Sequence, residues 1–344
     1  MWNGHGQPYE LIGLFCHSFS EKTMGNLLKT FSFLEESLQL NLPCMLLQVV
    51  ESKGSSPGRG GFCMAVNRSG EMAGSIGGGM MEHKLVEMAK AYLREQKERS
   101  LILPQIHSKQ AERHQSGMIC SGEQTVLLYL VKPADLPAVQ EIIASERVHK
   151  PRLFSIHPDG IFIHESSTDE TLWRHTSDAD WEYRRMAGEK TILHIVGGGH
   201  CALALSRLMK MLDFRIHLYE TRPDINTLRQ NEFADEIHLL ADYCLLGERL
   251  QSAADDLVVV MTFGYRSDDE AIRSIREMPF RWLGLLGSKS KIARMMEDYR
   301  KEGFSENWLQ AISAPVGMNI KSQTPEEIAV SIAAEIIAFC NKGL

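Results

Sequence analysis

The chain has 344 residues, 44% of them hydrophobic and 24% charged, an ordinary globular balance at a length that points to two domains. Its formal net charge of −7 argues against a nucleic-acid partner, which needs a basic face to neutralise phosphates. A small anionic ligand is still allowed, because a few oriented backbone N–H groups can bind one locally.

The first ten residues carry no basic patch followed by an apolar run, so no signal peptide is expected. No uncharged stretch reaches the roughly 20 apolar residues that span a bilayer. Apolar residues at helical spacing (Leu27, Leu28, Phe31, Leu34, Leu38) predict an amphipathic helix from Met24 to Leu40. Cys44 to Val50 reads as a buried strand, followed by the glycine-rich loop Gly54 to Gly61 and a strand from Phe62 to Asn67. A second glycine-rich loop, Gly74 to Gly79, opens into a helix from Met80 to Glu98. A β-rich run from Thr125 to Val131, a helix from Ala134 to Ser145, and a hairpin of Arg152–Ser155 and Ile161–His164 complete an N-terminal α+β domain over residues 1–165. Residues 166–189 are polar and highly charged and read as a linker.

From Lys190 strands alternate with helices. Strands are expected at Thr191–Val196, Phe214–Glu220, Glu236–Leu240, Leu257–Phe263 and Trp282–Leu286. Aliphatic strands alternating with helices indicate a parallel sheet covered on both faces. The expected fold is thus α/β: a Rossmann-like C-terminal domain over residues 190–344 and a smaller N-terminal α+β domain. A closing helix is marked by Thr324, Pro325 and Glu327, a capping box with proline in the first turn. Its apolar stripe (Ile328, Ile332, Ile336, Cys340) must bury against the sheet or another subunit.

The most informative segment is the strand and turn Thr191 to Ala202. Gly197 permits a tight turn, Gly199 lets a phosphate approach the backbone, and Ala202 lets the helix pack close to the strand. The helix start offers unpaired N–H groups and a partial positive charge, with His200 inside the turn. Glu220 ends the next strand, where an acid would accept from ribose hydroxyls; the alternative is that it pairs with Arg222. Thr262 and the loop Gly287, Ser288, Lys289 are expected on the same sheet edge, Ser288 and Lys289 as anion contacts or as a helix cap with a solvated lysine.

In the N-terminal half Gly54, Ser55, Gly77, Gly78 and Gly79 are candidate ligand contacts, because glycine clusters mark close backbone approach; hairpin and C-cap glycines are the alternative. Glu82 either caps its helix or touches ligand. The seven cysteines (Cys16, Cys44, Cys63, Cys120, Cys201, Cys244, Cys340) are odd in number and scattered, which excludes a disulfide framework or structural zinc site and suits a reducing cytosol. Cys120, in a small-residue loop before a strand, could reach a ligand, carry sulfur or hold a soft metal; otherwise it is a buried small hydrophobe. His83, His107 and His114 form no metal spacing and read as surface or satisfied core residues.

The motifs GSSPGRGG, GSIGGGMME, MICSGE, ILHIVGGGHCALAL, WLGLLGSKSK and APVGMNIKSQTPEEIAVSIAAEII occur in this order. In them the chain resembles the XdhC/CoxI family, the xanthine dehydrogenase accessory factors, over nearly its full length. The resemblance implies a cytoplasmic protein, not itself the hydroxylase, that binds molybdenum cofactor as molybdopterin or its dinucleotide form. It further implies sulfuration of that cofactor with a cysteine desulfurase and delivery to the apo-subunit of xanthine dehydrogenase or a related molybdenum hydroxylase, in purine catabolism. The family's cysteine corresponds to Cys120, a sulfur or molybdenum contact. There are departures: Arg59 is displaced by one position behind Gly58, Cys-Gly-Gly reads Cys120-Ser121-Gly122, and Thr-His reads Thr262-Phe263. The alternative is an NAD(P)-dependent oxidoreductase that uses the Rossmann turn for NAD(P) or another nucleotide; it needs a general acid or base that the motifs do not identify. No nucleic-acid or membrane partner is expected, and a homodimer is one further expectation.

Overall fold

The structure is a computed structural model and describes residues 27–106, 122–165, 171–250 and 254–342. The chain divides into two compact units, Met1–Glu189 and Lys190–Leu344.

In the first unit, α1 (Leu27–Gln39) precedes the strands β1 (Cys44–Lys53), β2 (Cys63–Asn67) and β3 (Met72–Gly74). Then come α2 (Gly79–Arg94), β4 (Leu101–Ile106), β5 (Glu123–Val131) and α3 (Leu136–Val148). The five strands form one antiparallel sheet in the order β3-β2-β1-β5-β4. Side chains alternate across β1: Met45, Leu47 and Val49 pack with Met81, Leu85 and Val86 of α2, while Cys44 and Leu46 pack with Phe31 and Leu34 of α1 and Ile142 of α3. The sheet is thereby covered on both faces. β4 contains Pro104, which is tolerated because β4 is an edge strand.

A second sheet of four strands follows, made of β6 (Arg152–His157), β7 (Gly160–His164), β8 (Leu172–Ser177) and β9 (Asp180–Ala187) in the order β7-β6-β9-β8. This overturns the expected linker over residues 172–187; residues 166–170 of it lie outside the described residues. β8 and β9 form an antiparallel hairpin whose second strand pairs with β6. The segment has few apolar residues, but three are large aromatics, and two of these, Trp181 and Tyr183, are exposed by only 2% and 0%. Trp181 meets Tyr129 edge-on at 6.3 Å, and Tyr183 accepts a hydrogen bond at 3.3 Å from Gln48 Nε2 of β1. Two such rings bury as much surface as several aliphatic residues, so the number of apolar positions understates how firmly the segment is anchored. The first unit, residues 1–189, is the longer of the two and not the smaller.

The second unit holds six strands: β10 (Ile192–Val196), β11 (Arg215–Glu220), β12 (Glu236–Leu239), β13 (Leu257–Val260), β14 (Trp282–Leu285) and β15 (Ile312–Ser313). All pair in parallel, in the order β12-β11-β10-β13-β14-β15. Counted from the first strand this is 3-2-1-4-5-6, the doubly wound Rossmann order, with its switch point between β10 and β13. The helices are α4 (His200–Met211), α5 (Asn226–Arg229), α6 (Leu246–Arg249), α7 (Tyr265–Ile275), α8 (Lys289–Lys301), α9 (Glu306–Ala311) and α10 (Pro325–Cys340). One sheet face packs Leu193, Ile195 and Leu218 against Leu205 of α4 and Ile332 and Ile336 of α10. The other packs Val196, Val258 and Val260 against Ile272 of α7 and Met295 of α8. The capping box of α10 is present as expected: Thr324 Oγ1 accepts from the Glu327 N–H, and Glu327 accepts from the N–H groups of Gln323 and Thr324.

Among the described residues no helix is long and apolar enough to cross a membrane.

Candidate functional site

The glycine-rich loops of the first unit meet one another. A Cβ on Gly77 would lie 2.4 Å from the Gly58 nitrogen, and Gly77 has φ of 121°, so both space and backbone demand glycine. A Cβ on Gly122 would lie 2.5 Å from the Ser55 carbonyl carbon, so the end of the MICSGE motif reaches the same place. Gln124 ties the loops together: its Oε1 accepts from the Gly58 N–H at 3.1 Å and its Nε2 donates to the Ile76 carbonyl at 3.5 Å. No sequence signal singled out Gln124.

The second loop resembles an anion nest, but the protein fills it. One Glu82 carboxylate oxygen accepts from Ser75 Oγ at 2.7 Å, the Ile76 N–H at 2.9 Å and the Gly78 N–H at 3.0 Å. Glu82 therefore caps the loop from within, the first of its two expected roles. Gly54 and Ser55 are exposed at the loop surface, Gly54 accepting from the Arg59 guanidinium at 3.0 Å. Cys120, like His107 and His114, lies outside the described residues.

In the second unit the β10–α4 turn is built as the fingerprint requires. Gly197 has φ of 107°, and a Cβ there would lie 2.5 Å from the Met261 carbonyl oxygen at the end of β13. Gly199 caps α4 without a side-chain partner, and a Cβ on it would meet nothing within 4 Å. The helix start thus faces open space: a cleft of about 420 Å³ lined by Gly199, His200, Arg222 and residues 224–227. It lies at the carboxyl ends of β10 and β11, where open α/β sheets bind ligands.

Glu220 is a correction. It is fully buried and its carboxylate is taken up by the protein itself. It accepts from the N–H groups of Gly198 at 2.8 Å, Thr221 at 2.7 Å and Arg222 at 3.0 Å. The Arg222 guanidinium adds a two-pronged contact at 3.0 and 2.8 Å, and the Tyr243 hydroxyl donates at 3.2 Å. Burial alone would raise this carboxyl, but Arg222 and the N–H groups of Gly198, Arg222 and Thr221 outweigh it and hold it at about 2. No oxygen is left for a ribose, and Glu220 instead fixes the shape of the glycine turn. Arg222, two residues further on, reaches the cleft in its place, its guanidinium 4.5 Å from the Phe263 ring.

At the β13 end Thr262 donates to buried Asp268 through both N–H (3.0 Å) and Oγ1 (2.6 Å). Asp268 also pairs with the Lys291 ammonium, which donates to the Leu286 carbonyl at 3.0 Å. Ser288 caps α8 by accepting from the Lys291 N–H at 3.2 Å, and Lys289 and Ser288 are exposed beside Gly287. Of the residues expected on this edge, Gly197, Gly199 and His200 form the turn and its cleft. Thr262 and Ser288 make hydrogen bonds within the protein.

A parallel sheet in Rossmann order, with a glycine turn, an open helix start and a cleft at its switch point, defines the second unit as a Rossmann domain. The profile of the XdhC Rossmann domain matches residues 193–336, and that of the XdhC and CoxI family matches residues 37–103. The chain belongs to the XdhC and CoxI family. It is 27% identical over 307 residues to the uncharacterized protein YqeB of Escherichia coli (strain K12), covering 88% of this chain but 44% of that one. The chain thus spans less than half the length of that relative. It is 25% identical over 333 residues to a probable xanthine dehydrogenase subunit from Bacillus subtilis (strain 168), covering 91% of this chain and 97% of that one. The crystal structure of a xanthine dehydrogenase from Bacillus halodurans has the same fold, with a TM-score of 0.68 at 22% identity over 92% of this chain and 97% of that one.

Proposed function

We propose that this protein is an accessory factor that binds molybdenum cofactor, assists its sulfuration together with a cysteine desulfurase, and hands it to the apo-subunit of xanthine dehydrogenase or a related molybdenum hydroxylase. One observation carries the reading: in a chain of this family, the α4 start opens onto a cleft whose floor, Gly199, has no side chain and no neighbour above it. The cofactor is a pterin bearing a dithiolene and a phosphate, and it supplies the molybdenum centre on which sulfur is exchanged.

The chain's own residues suit such a guest. The N–H groups at the start of α4 and its partial positive charge would hold the phosphate. Arg222, braced by Glu220 and lying over Phe263, offers a flat cationic surface beside it. Thr227 Oγ1 donates to the Gly198 carbonyl and keeps the turn open. Cys120 precedes Gly122 by two residues in sequence, and its thiol is the candidate sulfur contact. The oxidoreductase alternative rests on the Rossmann turn; Glu220, the expected ribose acceptor beside it, has its carboxylate occupied.

The test is reconstitution. Apo-hydroxylase supplied with free cofactor should gain activity faster and to a higher level when this protein and a cysteine desulfurase are present. Equal activation without it would remove the proposal. NAD(P)-linked hydride transfer by this protein alone would favour the alternative.

A further inference from the structure

Three polar side chains lie together on one face of the second unit's sheet, away from the cleft. His217 of β11 stands directly opposite Glu236 of β12 in the parallel register, and His238 follows Glu236 by two residues. Side chains two apart on a strand point to the same face, so all three converge. One ligand atom from each lies within 4.8 Å of the others. Both imidazole Nε2 atoms are buried and make no hydrogen bond. They stand 3.6 Å (His217) and 3.3 Å (His238) from the Glu236 carboxylate oxygens. A buried ring nitrogen without a partner is costly and calls for a missing one.

We propose that His217, Glu236 and His238 form a binding site for one divalent transition ion of the zinc type. Two nitrogen ligands and one carboxylate are a donor set that zinc takes with a fourth position left to water. Ligand atoms about 2.0–2.1 Å from a tetrahedral ion stand roughly 3.4 Å apart, close to the 3.3 Å between His238 Nε2 and Glu236 Oε2. The surroundings position the ligands. Tyr219 stacks on His238 at 4.8 Å, and His194 meets His217 edge-on at 5.3 Å. His194 is itself held between the Tyr219 hydroxyl and Asp256, each at 3.1 Å. Arg215 is the cation in contact: it donates to Glu236 Oε1, leaving Oε2, the oxygen beside His238, for the ion. Exposure rises from 11% at His217 to 29% at His238 and 40% at Glu236, which gives an ion a path in from solvent. The site is independent of the proposed function.

The test uses the full chain, free of any affinity tag and stripped of metal, titrated with Zn²⁺ and, as a spectroscopic probe, Co²⁺. One equivalent should bind, with tetrahedral ligand-field bands and no thiolate charge-transfer band. His238→Gln should weaken binding on the order of 100-fold while leaving the metal-free circular dichroism unchanged. X-ray absorption on the zinc-loaded wild type, which needs no variant to fold, should show nitrogen and oxygen scattering with imidazole features. Failure to bind, sulfur in the first coordination shell, or unaltered affinity in His238→Gln would each overturn the site.

Discussion

Glu220→Gln separates two roles that a carboxylate at this position can have. If Glu220 fixes the glycine turn, the variant loses stability; if it faces the ligand, the variant loses affinity alone. A carboxyl held at about 2 instead of 4.5 stabilises the folded state by about 3 kcal/mol. Because the folded value is depressed, that stabilisation is complete above the unfolded value of 4.5 and disappears as pH falls through about 2. Glutamine keeps the shape but loses the charge facing Arg222, and its NH₂ group must face N–H donors. Wild type should therefore exceed Glu220→Gln by about 3 kcal/mol at pH 7, or roughly 6–12 °C in the melting of this unit. The gap should narrow as pH drops below 4.5. Urea unfolding at pH 7, 5 and 4, with calorimetry at pH 7, reads both. Melting like wild type at pH 7 together with weakened ligand binding would refute the reasoning.

Other expectations follow from the same geometry. Gly77→Ala places a Cβ 2.4 Å from the Gly58 nitrogen at a φ of 121°, and should cost about 2–4 kcal/mol in chemical unfolding; a neutral result would mean the two loops do not touch. Trp181→Ala should cost about 3–5 kcal/mol and open the first unit to proteolysis, whereas a true linker residue would change stability by less than about 0.5 kcal/mol. Cys120→Ala should leave melting unchanged but reduce cofactor retention or sulfuration; full activation of a hydroxylase by that variant would remove the thiol from the account.

The C-terminal fold was legible because its signals are local. A strand, a glycine turn and the start of a helix occupy twelve consecutive residues from Thr191 to Ala202, and the capping box of α10 lies within four. The site was harder to read where it depends on side-chain direction. Glu220 stands at the spacing of a ribose acceptor, yet its oxygens turn inward to Gly198 and Arg222, and spacing cannot tell the two apart. The meeting of Gly58, Gly77 and Gly122 depends on the β1–β5 pairing and on Gln124, contacts between residues far apart in the chain. The β8–β9 hairpin was missed because two aromatic rings supply its burial, and the His217–Glu236–His238 group because only strand register brings it together.

The most direct measurement is the pterin and molybdenum content of this protein purified from cells with an active molybdopterin pathway. Both should be retained in near-equal amounts, and both should be lost when Gly199→Val fills the floor of the α4 cleft in a folded protein. Purification with neither pterin nor molybdenum, or retention undiminished in folded Gly199→Val, would contradict it.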